Sequence, residues 1–274
     1  MGVLINIEKA ISDYKQKGGK TSFEDSLRQV LQFAQADNNL NEVSDLAYLL
    51  ATAKAESDYS LQRWESDYIC GLTGKPYNQK PCEKALNYYR STKEGKKNYY
   101  TLGTDQNGLP YFGRGLIQLT GKANYEKYGK LIGVDLINNG DLALKPKNSY
   151  QIATTFLSQK RGGIYAKNGA NRSTFDMAKD GDLTKARKSV NGGSKGLQEV
   201  NKYYELWKEV LQNNLGKSNN FVLKSNLITD KKKRTKQIIA IGLALLILGV
   251  SGTLTYLYLK KRGNLPNFMK KINI

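Results

Sequence analysis

Histidine is absent from all 274 residues, and that absence removes imidazole as a general base, a triad member or a metal ligand. Carboxylates are left to carry any acid and base work. Cysteine is scarce too. Cys70 and Cys82 enclose a short segment containing Pro76 and Pro81, and the pair suits either a disulfide in an oxidising compartment or two free thiols, both readings staying open. Acidic residues are the minority, 24 Asp/Glu against 43 Lys/Arg, for a net charge of +19. From Lys217 onward stand twelve Lys/Arg and one Asp, which is +11 and leaves +8 for the first 216 residues. A positive globular part attracts polyanions such as nucleic acid, acidic lipid or bacterial wall polymers, the plain alternative being a basic surface that serves solubility. No helix-turn-helix, zinc-finger or RNA-binding signature is present, so no nucleic-acid partner is expected. No secretory signal is expected at the amino end, because Glu8, Lys9 and Asp13 interrupt the apolar residues too early for an h-region.

The length accommodates one core of about 200 residues plus an appendage. Helices dominate the expected pattern. After Ser22, read as a cap with Asp25 three residues on, Phe23, Leu27, Val30, Leu31 and Ala34 fall at helical spacing. A second helix follows Ser44, with a stripe of Leu46, Leu49, Leu50 and Ala53 whose phase carries Glu56 to the edge of the buried face. That is an unusual place for a carboxylate. From Ser57 to Pro110 the chain is polar and rich in Tyr, Gly, Lys and Asn, an irregular excursion with one short helix over Cys82–Arg90. Further helices are expected over Asn148–Ser158, Thr174–Ser189 and Leu197–Asn213, the last two separated by Asn191-Gly192-Gly193. Residues 216–237 form a polar to basic linker. Ile238–Leu259 then runs for twenty-two residues without a charge, about 33 Å of helix, which matches the thickness of a bilayer core. A single-pass transmembrane helix over 238–259 is therefore expected, followed by a basic tail over 260–274. Lys231, Lys232, Lys233, Arg234 and Lys236 on one side balance Lys260, Lys261, Arg262, Lys270 and Lys271 on the other, so the flanking charge gives no orientation.

The most distinctive stretch is YFGRGLIQLTGKANY, Tyr111 to Tyr125. Gly113 and Gly115 permit backbone angles closed to other residues, and the alternation from Leu116 predicts a short extended run that presents Gln118 and Thr120 to one side. A glycine-rich turn leading into an edge strand is the plain alternative. In wording the segment resembles the signature of the family 19 glycoside hydrolases, chitinases and related bacterial and phage wall lysins. Their run is Tyr-aromatic-Gly-Arg-Gly-x-x-Gln-Leu-Thr/Ser followed by Asn-Tyr. Tyr111, Gly113, Arg114, Gly115, Gln118, Leu119, Thr120, Asn124 and Tyr125 all stand in place. The resemblance covers about residues 20 to 212. It implies an α+β, mainly helical, lysozyme-like domain over 1–215 with a deep cleft, and no cofactor or metal.

Inverting glycoside hydrolysis needs a protonated carboxyl and an ionised carboxylate about 6.5 to 9.5 Å apart. Glu56 and Glu65 are the candidates. On one straight helix they would stand about 13.5 Å apart, so the helix must stop between them, and Ser57-Asp58-Tyr59-Ser60 is the expected stop. Leu49, Leu50 and Ala53 suit Glu56 to the acid role, and the polar loop suits Glu65 to the base. The resemblance implies the same assignment for Ala47–Glu65. It also implies that Thr120 holds the attacking water, that Gln118 and Asn124 bind N-acetylated sugars, and that Asn191 belongs to an Asn-Gly-Gly turn near the site. Capping or turn formation is the plain reading of those two amides. Tyr59, Trp64, Tyr68 and Tyr111 are candidates for stacking on sugar faces, Tyr111 being counted with the substrate-binding set. Two positions depart from the family pattern: Ala55 stands where a His usually precedes the acid, and Val200 where an Arg follows the motif Asn by nine positions.

The expected activity is hydrolysis of β-1,4-linked N-acetylated aminosugar polymers, peptidoglycan ahead of chitin, by a membrane-anchored domain acting on the cell wall. Delivery by a phage or an injection apparatus would account for the missing export signal. A non-catalytic glycan-binding or structural component of such an apparatus is one rival. A lytic transglycosylase, which needs one acid and leaves Glu65 dispensable, is the other.

Overall fold

Helix α1 (Ile7–Gln16) starts where the Asn6 side chain accepts from the Lys9 backbone N–H, and it buries Ala10, Ile11 and Tyr14. Helix α2 (Glu24–Ala36) buries Leu27, Val30, Leu31 and Ala34, the i, i+3, i+4, i+7 set that the sequence marks. Ser22 is not its cap. Phe23 occupies that position, and the Ser22 N–H donates instead to Asp58 Oδ2 at 3.0 Å. Helix α3 (Val43–Ser57) is buried on more than one stripe: Tyr48, Ala51 and Thr52 are enclosed along with Leu46, Leu49, Leu50 and Ala53. It is a central helix, and each of its fully buried leucines contributes about 1.5–3 kcal/mol.

The computed structural model describes residues 5–40, 42–64, 87, 102–106 and 108–214. Glu65, Tyr68, Cys70, Cys82, the helix expected over Cys82–Arg90 apart from Asn87, and the linker, apolar segment and tail lie outside the described residues. No described helix is long and apolar enough to cross a membrane.

Helix α4 (Lys122–Ile132) was not marked by the sequence pattern; it buries Tyr125, Tyr128 and Gly129 and stops at Gly133 in the left-handed region. A 3₁₀ turn over Gly140–Leu144 leads to α5 (Pro146–Ser158), which opens with proline in its first turn. The single helix expected over Thr174–Ser189 is two, α6 (Thr174–Lys179) and α7 (Leu183–Asn191). Gly181 at φ +77° turns the chain between them, Ser173 and Asp176 form a capping box on α6, and the Asp182 carboxylate caps α7 by accepting from the Lys185 N–H. Helix α8 (Leu197–Asn214) packs along α3, and α1 lies against α8.

Mainly helical is therefore what the molecule is. The β part of the expected α+β class reduces, among the described residues, to isolated bridges such as Trp64 with Arg114, Arg114 with Leu119 and Arg161 with Arg172. Between α1, α3 and α8 the core is aromatic. Tyr14 stacks on Trp207 with ring centroids 4.5 Å apart, Trp207 Nε1 donates to the Tyr59 hydroxyl at 2.9 Å, and the Tyr59 hydroxyl donates to that of Tyr14 at 3.0 Å. Tyr59 is thus a core residue.

Candidate active site

Helix α3 ends one residue after Glu56. Asp58 and Tyr59 both take left-handed backbone angles, φ +52° and +68°, at a cost on the order of 1–3 kcal/mol each. The Asp58 N–H donates to Lys54 O and the Tyr59 N–H to Ala53 O, which satisfies the last carbonyls of the helix. The Asp58 carboxylate accepts from Lys54 Nζ at 2.5 Å and from the Ser22 N–H. The stop expected at Ser57–Ser60 is in place, and it turns the chain away from the helix axis before Glu65.

Glu56 does not sit in an apolar enclosure. Its Oε1 accepts from Arg187 Nη1 at 2.6 Å, the side chains being 19% and 7% exposed, and no other described residue bonds to the carboxylate. Arg187 was not marked by sequence reasoning. Its signal was legible, because Leu183, Ala186, Arg187 and Val190 fall at i, i+3, i+4 and i+7 on α7 and place a cation within an apolar stripe. Arg187 Nε donates to Lys195 O at 2.8 Å, and the Asn191 amide donates to the same carbonyl at 2.9 Å. The turn after α7 is thereby latched to the residue that holds Glu56. One and two turns before Glu56 on α3, the Thr52 and Tyr48 hydroxyls are buried with no hydrogen-bond partner among the described residues. Burial pushes the Tyr48 phenol well above its ordinary pKa, and the Arg187 charge acts in the opposite direction.

The signature segment is a tight turn, not an extended run. Arg114 and Leu119 exchange backbone hydrogen bonds across it, and Gln118 is left-handed at φ +53°. Gly115 has φ +78°, and a Cβ there would lie 2.7 Å from Ser149 Oγ, so only glycine fits. The segment grips the chain that leads to Glu65: the Gly115 N–H donates to Arg63 O at 2.8 Å and Gln118 Nε2 to the same carbonyl at 3.2 Å. It also grips the end of α3, since Ser57 Oγ donates to Leu116 O at 2.8 Å. Arg114 lies beneath, its guanidinium 4.7 Å from the Trp64 ring centroid and 4.5 Å from that of Phe112. It donates to Pro110 O, the Tyr125 hydroxyl and Asp141.

The structure brings Glu56, Arg187, Asn191 and the signature segment together, and leaves Glu65 one residue beyond the described Trp64. The amides and hydroxyl expected to face sugar have partners within the protein. Gln118 Nε2 serves Arg63 O and Gly115 O, Thr120 Oγ1 donates to Gln118 O, and Asn124 Nδ2 donates to Thr120 O. Asn191 uses both ends of its amide, the oxygen accepting from the Gly193 N–H. Tyr111 is in the core rather than on a cleft wall: it is 1% exposed, and its hydroxyl donates to Ile137 O. Trp64 is buried as well.

Residues 71–163, which include the whole signature segment, match the family model described as chitinase class I of glycoside hydrolase family 19. Over that stretch the chain is similar to glycoside hydrolase family 19. Its relatives include the basic endochitinase of Vitis vinifera, 32% identical over 45% of this chain and 45% of that protein. A glycosyl hydrolase family 19 domain-containing protein of Haemophilus influenzae is 32% identical over 48% of this chain and 56% of its own. The acidic 27 kDa endochitinase of Solanum lycopersicum is 44% identical over 21% of this chain and 24% of its length. The chain thus spans about half or less of the length of the relatives it matches. Among solved structures it is similar to chitinase C from Streptomyces griseus HUT6037, with a TM-score of 0.48 and 15% identity over 77% of this chain and 94% of that one. Both departures from the signature's family pattern are packing positions. Ala55 packs against the core, Val200 is fully buried, and the cation beside Glu56 comes from Arg187.

Proposed function

We propose that the family 19 domain hydrolyses β-1,4 bonds of N-acetylated aminosugar polymers with inversion, Glu56 acting as the acid and Glu65 as the base. One observation carries the reading. Glu56 stands at a strained helix end with one carboxylate oxygen held by Arg187 and the other without a partner among the described residues. The same helix end is tied through Ser57 and Leu116 to the segment that grips Arg63, two residues before Glu65. Such an acid can protonate a leaving oxygen while a second carboxylate activates water on the opposite face.

Peptidoglycan is favoured over chitin. The net +8 of the first 216 residues suits an anionic wall polymer, and the charge-free run over 238–259 between basic clusters suits a single-pass anchor in a bacterial or phage setting. Turnover of purified walls and of chitin by the full chain, compared with Glu56→Gln and Glu65→Gln, tests the chemistry. At least about hundredfold loss in both variants is expected, close to 3 kcal/mol of transition-state stabilisation. Loss in Glu56→Gln alone indicates a transglycosylase, and an inactive parent indicates a glycan-binding component. Fractionation of host cells tests the anchor, which a wholly membrane-free pool would overturn.

A further inference from the structure

A cavity of about 500 Å³ opens between the end of α2, the end of α4 and one face of α5, and shares no lining residue with the candidate active site. Its α5 face is periodic, with Lys147, Gln151 and Thr155 four residues apart. Behind them Tyr150 packs against Phe33 with ring centroids 5.4 Å apart. The Tyr150 hydroxyl donates to Asp37 Oδ2 at 3.1 Å, and Asp37 Oδ1 accepts from the Asn39 N–H at 2.9 Å. That carboxylate is therefore occupied in shaping the wall.

The groups left over are amides, one cation and an apolar rim. The side-chain amides of Asn38 and Gln151 form no hydrogen bond with described residues, and the Lys147 ammonium forms no ion pair with them. Beside them Leu131 is 50% exposed, one of two large apolar side chains so placed among the described residues. An amide offers a donor and an acceptor side by side, which matches ring hydroxyls and N-acetyl groups, and an aliphatic side chain at the rim suits the C–H face of a pyranose. A polyanion would demand several cations, whereas here one lysine stands near one aspartate. An apolar ligand would leave the amides unpaired at a cost of about 1–3 kcal/mol each.

We propose that this cavity is a second, non-catalytic glycan site that holds a segment of N-acetylated aminosugar chain while the Glu56 site works on another part of it. The proposal rests on the substrate class inferred above. Its test uses the full chain with labelled methyl groups at Leu131 and Ile132, titrated with chitohexaose and, separately, with soluble peptide-bearing wall strands. Both methyl signals are expected to shift. Asn38→Ala, in the exposed turn after α2, combined with Gln151→Ala on α5 is expected to weaken that binding about tenfold and slow turnover of insoluble polymer, with the rate on short soluble oligosaccharides unchanged. Methyl signals unmoved by either glycan, or shifts that survive in the double variant, would overturn the proposal. Hydrolysis with unmoved methyls sinks this site alone, and shifting methyls without hydrolysis sinks the catalytic reading alone. Tighter binding of peptide-bearing strands that Lys147→Ala abolishes identifies the wall as the source, and equal binding in both arms identifies the shared sugar chain.

Discussion

Two buried arginines divide the labour of this domain. Arg114, 1% exposed, is surrounded by partners that are themselves fixed: a main-chain carbonyl, a tyrosine hydroxyl, Asp141 and the faces of two aromatic rings. Arg187 is nearly as buried but spans two separate pieces of chain, the end of α3 and the turn after α7, and the carboxylate it holds has its second oxygen without a partner among the described residues. Burial of a charge is costly in both places. At Arg114 the partners hold a fold element in shape, and at Arg187 they hold the carboxylate proposed as the acid. The residue that a signature makes conspicuous is therefore the scaffold, and the one the signature omits is bonded to the proposed acid.

That contrast breaks most visibly at Arg114. Arg114→Met is expected to cost about 4 kcal/mol, lowering the melting temperature by roughly 10 °C, because it removes the buried donor to Asp141, the Tyr125 hydroxyl and the Pro110 carbonyl beneath the signature turn. Thermal unfolding checks this, and a loss of activity with an unchanged melting curve would invert the assignment. Arg187→Met should show the opposite balance. About hundredfold loss of wall or chitin turnover is expected, in kcat more than in KM, with a stability loss of about 2 kcal/mol or less. Steady-state kinetics alongside thermal unfolding separate the two effects.

The smallest effect concerns a carboxylate that is partly buried without a guanidinium. Desolvation, then repulsion from Glu42, pushes the Asp45 carboxyl up to about 6, while Lys179 acts in the opposite direction and is itself bonded to Glu42. A folded value above the unfolded one, about 3.9, means that the folded state holds the proton longer. Stability is then lost as pH rises from about 4 to about 6 and stays lost above. Asp45→Asn should stabilise the chain by about 1 kcal/mol at pH 7.5, after discounting for solvent screening, and the gain should vanish below about pH 4. Melting temperatures of parent and variant across that range provide the measurement.

The helices were legible where apolar spacing is strong, as in α2 and α8, and the stop after Glu56 followed from the distance that two cooperating carboxylates can span. Helix α4 escaped because its buried face consists of Tyr125, Tyr128 and Gly129, two amphipathic rings and a glycine, which give little periodic signal. The split between α6 and α7 escaped because one glycine flanked by two aspartates looks locally like a tolerated interruption of a helix. Amides defeated the reading for a different reason. Gln118 and Asn191 have the chemistry to bind sugar and equally to bind main chain, and composition does not record which way a side chain points. Arg187 meets a partner 131 residues earlier, a pairing that no local pattern carries.

The left-handed turn at Asp58 has a bearing on the order in which the protein assembles. Its carboxylate and carbonyl are held by Ser22 and Thr21, and Lys54 reaches from α3 to the Lys20 carbonyl, so the last turn of α3 is finished by a stretch 34 to 37 positions upstream. The middle of α3 can form from local contacts, but its end waits for a long-range closure. A chain trimmed through residue 22 would retain α3 yet lose the clasp at its terminus, leaving Glu56 on a fraying helix. The placement of Glu56 thus depends, in construction, on a segment far from it in sequence.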